Sequence, residues 1–207
     1  MNQQNRQQRG NLPSETEFET YTNRMGDTYY LHEGKTKTGK IRYFAAKKPR
    51  EGTLSAMPEG FEFSESINGV VSVRRIKESD TRIPASDIAL VQAELDRHHH
   101  LCEHRIDIVK GEIVVFEPAN PLSELHEEMA RSFPILAYRD LSSIKRRVRY
   151  DPVMKFVPLQ KNSGYSVHRM TYRGDGGWSW PLASGRLHDL VQKFLRHVGT
   201  DEFFELL

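Results

Sequence analysis

The sequence predicts an α+β protein in which antiparallel β-hairpins, several of them in a meander, pack with about three helices behind a disordered N-terminal tail. Three observations predict it. Strand-like runs come in pairs around short glycine-marked turns. Helix-period runs stand singly between those pairs, not in the strand–helix alternation of a doubly wound parallel sheet. The first twenty residues, rich in Gln and Asn, carry no apolar period and bury too little to offset the entropy of ordering them.

The strands begin at Thr28. TYYLHEG and KIRYFAAKK are strand-like and flank the turn KTKTG, so Gly34 and Gly39 punctuate a first hairpin. A connection marked by Pro49 and Gly60 follows. FEFSESINGVVSVRRI then reads as a second hairpin around Asn68-Gly69, a pair that accepts the positive φ angles a two-residue turn requires. Residues 28–76 therefore read as a four-stranded antiparallel meander.

Pro84 and Ser86 open a helix with Ile88, Val91 and Leu95 on one face and Ser86 as its N-cap. LCEHRIDIV and EIVVFEP form a third hairpin turning at Lys110-Gly111. Asn120-Pro121 starts a second helix that carries Leu122, Leu125, Met129 and Phe133 inward, and Pro134 ends it. ILAYRDLSSIKRRVRY has an ambiguous period. PVMKFVPL and YSVHRMTYRG are strands around a turn from Lys161 to Gly164. The loop GDGGWSWPL leads to a final helix with Leu187, Leu190, Val191, Phe194 and Leu195 on its apolar face and Gly199 as its C-cap. A last helical turn, DEFFELL, packs its phenylalanines against the fold. The expected organisation is a tail over 1–20, an N-terminal β-rich module over 21–82 and a C-terminal α+β module over 83–207, the two modules free to share one core.

Composition narrows function weakly. Of 207 residues, 30 are Lys or Arg and 28 are Asp or Glu, and this net charge of +2 by itself selects no partner. No apolar run is long enough to span a bilayer, so no membrane partner is expected. The only cysteine, Cys102, cannot form an internal disulfide, and with no apolar leader in MNQQNRQQRGNLPSETE the expected setting is cytoplasmic.

Several strings imitate known chemistry. Gly34 to Lys40 has the glycine and lysine spacing of a phosphate-binding P-loop, but Ile41 stands where Ser or Thr holds magnesium, and a strand follows where a helix is required. His98, His99, His100, Cys102 and His104 form the densest metal-capable run. No second cluster completes a structural zinc spacing, and imidazoles at a helix end cap carbonyls equally well. Asp107, Lys110, Glu112 and Glu117 on the third hairpin offer carboxylates beside a lysine, as a metal-dependent nuclease would, in a spacing that matches no such pattern. Arg173-Gly174-Asp175 reads as a turn. Trp178 and Trp180 share one face of an extended segment, the setting of core or subunit contacts. The expectation is no catalytic residue, no metal and no cofactor.

The layout of charge carries more. Lys35, Lys37, Lys40, Arg42, Lys47, Lys48 and Arg50 occupy residues 35–50 with no acidic residue among them, and Tyr43 and Phe44 are interleaved. A second basic cluster, Lys145, Arg146, Arg147 and Arg149, ends beside Tyr150. Basic hairpins with aromatics follow a phosphate backbone while bases stack on the rings. The competing reading is an edge strand whose lysines block sheet-to-sheet pairing. The expected nucleic-acid-binding set is Lys35, Lys37, Lys40, Arg42, Tyr43, Lys47, Lys48, Arg146 and Arg147, in a non-enzymatic binding protein. Two other readings stay open: a metal-dependent hydrolase built on the Asp107 to Glu117 hairpin, and a protein–protein adaptor using Trp178 and Trp180.

The run TYYLHEGKTKTGKIRYFAAKKP with INGVVSVRRI, and the stretch from PVMKFVPL to FFELL, resembles a group of uncharacterised bacterial proteins. The resemblance spans about half the chain. It implies a bacterial, cytoplasmic setting and brings no activity or site residues.

Overall fold

A computed structural model describes residues 18–76, 83–121, 131, 146–160, 164–171 and 177–206. The chain divides between Ile76 and Lys77 into two compact units.

In the first unit, β1 (Thr20–Thr22), β2 (Thr28–Lys35) and β3 (Ile41–Ala46) form an antiparallel sheet in that order, and β4 (Phe61–Glu65) pairs only with β5 (Val71–Arg75). The expected four-stranded meander is thus corrected to a three-stranded sheet and a separate hairpin. The reason lies in the connection after β3. Residues 52–54 return along the edge of β2, where the Glu33 N–H donates to the Gly52 carbonyl at 2.8 Å and the Leu54 N–H to the Leu31 carbonyl at 2.9 Å. The chain leaving β3 thus crosses to the β1 side of β2, away from the free edge of β3, and the next hairpin packs by side chains instead. Tyr43 meets Phe61 edge to face at 4.8 Å between ring centres, and Tyr21 meets Phe63 at 5.4 Å. Both residues at the middle of β2, Leu31 and His32, are 0% exposed.

Polar ties lock the hairpin in place. Asn23, buried in the β1–β2 turn, donates from Nδ2 to the Gly69 carbonyl at 2.8 Å, and its Oδ1 accepts the Met25 and Asp27 N–H groups. Glu65 accepts from the Tyr21 hydroxyl and the Arg24 N–H, each at 2.9 Å. Phe18 and Glu19, expected in the tail, belong to the fold: Phe18 packs on Tyr30, and the Glu19 N–H donates to Leu54. Residues 1–17 lie outside the described residues.

In the second unit, helix α1 (Ala85–Arg97) precedes β6 (Arg105–Val109), β7 (Glu112–Pro118), β8 (Tyr150–Pro158), β9 (Tyr165–Arg169) and β10 (Ala183–Gly185), and helix α2 (Leu187–Phe194) follows. The five strands form one antiparallel meander in the order β10-β9-β8-β7-β6. Alternation decides the faces. Ile113, Val115, Met154, Phe156 and Val167 turn to one side and are buried with Val91 and Leu95 of α1 and Leu190, Val191 and Phe194 of α2. Lys110 (φ 54°) and Gly111 (φ 78°) make the β6–β7 turn, both in the left-handed region that a two-residue hairpin needs.

The fold expectation needs correction here too. Among the described residues, ten strands in three antiparallel sheets stand against two α-helices, so the molecule is mainly β rather than a set of hairpins with about three helices. The helix expected from Leu122 to Phe133, and the turn residues 161–163, lie outside the described residues. DEFFELL supplies a 3-10 turn, Asp201–Glu205, in which Phe203 is buried and Phe204 exposed. Two short strands were not expected. β1 begins at the last residue of the expected tail and precedes the first expected strand, and β10 falls between the expected 174–182 loop and the final helix. Both satisfy the open edge of a longer strand. Ser86 does not cap α1; Pro84 holds the N-cap position, and the Ser86 hydroxyl donates to Asp87 instead.

Candidate functional site

The β2–β3 hairpin projects its basic residues into solvent. Lys35, Lys37, Lys40, Arg42, Lys47, Lys48 and Arg50 are all exposed. Its turn is closed by backbone bonds between Thr36 and Lys40 and from the Gly39 N–H to Thr36, so GKTKTGK is a hairpin tip. Lys47 is committed locally: its ammonium pairs with Asp27 at 3.0 Å and stands over the Tyr29 ring. Among the described residues, Lys35, Lys37, Lys40 and Lys48 form no ion pair. Lys40 and Lys47 are seven residues apart on an extended strand, roughly 23 Å, so the charge is a line and not a spot.

The rings are placed differently from the expectation that bases stack on them. Tyr43 points to the β4–β5 side and is half-buried on Phe61. Phe44 lies on the opposite face, stacked on His32 with 5.3 Å between ring centres and 18° between planes. Its ring extends across Gly34, where an added Cβ would come within 3.1 Å of Phe44 Cε1. The guanidinium carbons of Arg42 and Arg50 stand 5.1 Å and 5.4 Å from its centre. Both aromatics are therefore occupied within the protein, and the hairpin presents charge rather than a base-stacking platform.

His32 is held from below. The Thr53 hydroxyl donates to the Arg50 carbonyl at 2.6 Å, which leaves His32 Nδ1–H as donor to Thr53 Oγ1 at 3.2 Å. Burial, then the Arg50 charge, lower the His32 pKa against a smaller opposing effect of the Lys48 carbonyl, so the protonated ring is disfavoured. Arg146 and Arg147 are exposed residues just before β8 and belong to the second unit.

The histidine run forms neither a strand nor a metal centre. His99–Leu101 is a 3-10 turn, and β6 begins only at Arg105, so His100, Cys102 and His104 share no strand face. With Glu117 and Gly199 they line an open cleft of about 470 Å³, and Cys102 is exposed. His104 is pushed down to about 4, first by burial and then by His100, with the Leu101 carbonyl opposing, and neither ring nitrogen has a well-formed hydrogen bond. Among the described residues no three His, Cys, Asp or Glu side chains stand together as a metal would need.

The carboxylates of the third hairpin do not converge. Asp107 and Glu112 lie on one face of the sheet by register, and Glu117 lies on the other. Glu112 is paired with Lys155 at 3.0 Å, and Lys155 also stands 4.9 Å from the Trp178 ring centre. Trp178 is half-buried and Trp180 is 91% exposed.

One arrangement had no signal in the sequence. On β9, the buried Ser166 hydroxyl donates to His168 Nε2 at 3.1 Å, and His168 Nδ1–H donates to the Ser179 carbonyl at 2.9 Å. That is the order of nucleophile, base and orienting group. A hydrolase also needs N–H donors facing the reacting oxygen, and the amides around Ser166 are spent in the β8–β9–β10 ladder. The chain of bonds instead ties the 179 loop to the sheet. The stack of His32, Phe44, Arg42 and Arg50 was also missed. Its only trace in the sequence is the alternation that puts Arg42 and Phe44 on one face opposite Gly34 and His32.

No helix among the described residues is long and apolar enough to cross a membrane. No family model matches the chain, and no curated protein or solved structure does so.

Proposed function

We propose that the protein is a non-enzymatic binding protein that engages the phosphate backbone of a nucleic acid through the β2–β3 hairpin. The observation that supports this is the line of exposed cations from Lys35 to Arg50, with Lys35, Lys37, Lys40 and Lys48 in no ion pair among the described residues. Side chains left without carboxylate partners retain their full attraction for polyanions. The occupied rings of Tyr43 and Phe44 argue for backbone contact without base readout. A cytoplasmic setting fits the free, exposed thiol of Cys102.

The test is fluorescence anisotropy on labelled single- and double-stranded DNA and RNA across a salt series. Each phosphate neutralised adds roughly 0.7 to 0.9 to the slope of log K against log salt. Reversing Lys35, Lys37 and Lys40 to Glu is expected to abolish binding at physiological salt, with little dependence on base sequence. Binding that survives the triple reversal, or that no salt concentration weakens, would defeat the proposal.

A further inference from the structure

Arg42 and Arg50 differ from the lysines around them. A guanidinium is planar, always charged, and presents paired N–H donors that match two oxygens of one phosphate. Both stand over the same ring, Phe44, at 5.1 and 5.4 Å. That ring cannot swing away: His32 is stacked on one side, 0% exposed and anchored to Thr53, and the space over Gly34 exists because residue 34 has no side chain. The backbone of Arg50 is fixed in turn, since its N–H donates to Thr53 Oγ1 and its carbonyl accepts from the same hydroxyl. Neither arginine has a carboxylate partner among the described residues, and Glu33 lies on the opposite face of β2 from the register position of Arg42.

Two like charges gathered on one aromatic ring repel each other, and an anion between them removes that repulsion. We propose that Arg42 and Arg50, presented by Phe44, form a discrete site for a single phosphate group. The ligand class is a phosphate ester, and the site fixes the register of a strand whose other phosphates meet the lysines. This rests on the reading of the hairpin as an anion-binding surface, and it adds that one position on that surface is geometrically specific.

The test uses the full chain and two charge-conserving variants, Arg42→Lys and Arg50→Lys, each checked for an unchanged unfolding midpoint. Inorganic phosphate and a short 5′-phosphorylated oligonucleotide are titrated separately while the arginine Nε–Hε resonances are followed. The expected result is saturable shifts at Arg42 and Arg50 in the native protein. In either variant, affinity for phosphate falls about tenfold or more, because lysine keeps the charge but loses the paired donors. The salt slope for the oligonucleotide stays the same, since no charge is lost. Equal phosphate affinity in the lysine variants, or no saturable shift in the native protein, overturns the site and leaves the charged line intact as a diffuse surface. Saturation by phosphate without any oligonucleotide binding supports the site and defeats the nucleic-acid reading, pointing to a free or protein-borne phosphate.

Discussion

His104 shows how a single side chain couples this fold to pH. It lies in the turn between α1 and β6, beside His100 and facing the cleft shared with Glu117 and Gly199. Its folded pKa is lowered from 6.5 to about 4, so the unfolded chain takes up the proton first. The stabilisation from a neutral His104 is fully present above about 6.5 and is lost as pH falls towards about 4. His104→Leu removes that dependence. The native protein should lose roughly 2–3 kcal/mol more than the variant between neutral pH and pH 4, read from urea midpoints. Parallel losses in the two proteins would show that His104 is not the group responsible. The sequence displayed the histidines but not this effect, because the effect comes from burial that the neighbouring elements impose. The same holds for Arg42 and Phe44. Their residue types were visible, yet the use of the ring by His32 and the arginines depends on where residues 50–53 return.

At the scale of elements, turn chemistry was the most legible part of the chain. Asn68-Gly69 and Lys110-Gly111 each sit between paired strands, and Lys110 and Gly111 both take the positive φ of a two-residue turn. The Asn68-Gly69 loop is longer than the two-residue turn expected and takes a positive φ at Gly69 alone, closed by bonds between Ser66 and Val70 and from Gly69 to Ser66. The apolar face of α2 was equally plain: Leu187, Leu190, Val191 and Phe194 are all buried. What the strands pair with was not legible. β4 and β5 are held to the first sheet by the bonds of Asn23 and Glu65 and the Tyr21–Phe63 ring contact, between residues more than forty positions apart, and by the nearer Tyr43–Phe61 contact. Asn23→Ala deletes three hydrogen bonds at a buried position and is expected to cost about 2–3 kcal/mol. Hydrogen exchange at the amides of Met25 and Asp27 should accelerate with it. A loss below about 1 kcal/mol would mean that the ring contacts alone secure the hairpin.

At the scale of the molecule, the two units differ in the core they can build. The second unit joins a five-stranded sheet to α1 and α2 through one continuous apolar cluster. The first has a three-stranded sheet and a hairpin, with few fully buried apolar side chains beyond Leu31. Small units bury a smaller fraction of their surface and are correspondingly less stable. Produced separately, residues 18–76 and 83–207 are expected to unfold cooperatively, the first at the lower denaturant concentration. A single coincident transition in the whole chain, with neither fragment folding alone, would show that the division at Ile76 is not a division of stability. The net charge of +2 conceals this asymmetry, because the unpaired hairpin cations all belong to the smaller unit.

The sequence by itself determined where the chain turns, which segments alternate as strands, which face of α2 is apolar, and where cations gather without acids. These are local properties, set by backbone preferences and by spacing within a few residues. Only the tertiary structure decided that β1 and β10 close strand edges, that the carboxylates of Asp107 and Glu112 part from Glu117, and that Phe44 carries two arginines over a buried histidine. Each of these depends on which distant segment satisfies an open edge or covers an open face, and many segments have the hydrogen-bonding groups to do so. Local pattern leaves those alternatives nearly equal, and packing of the whole chain selects among them.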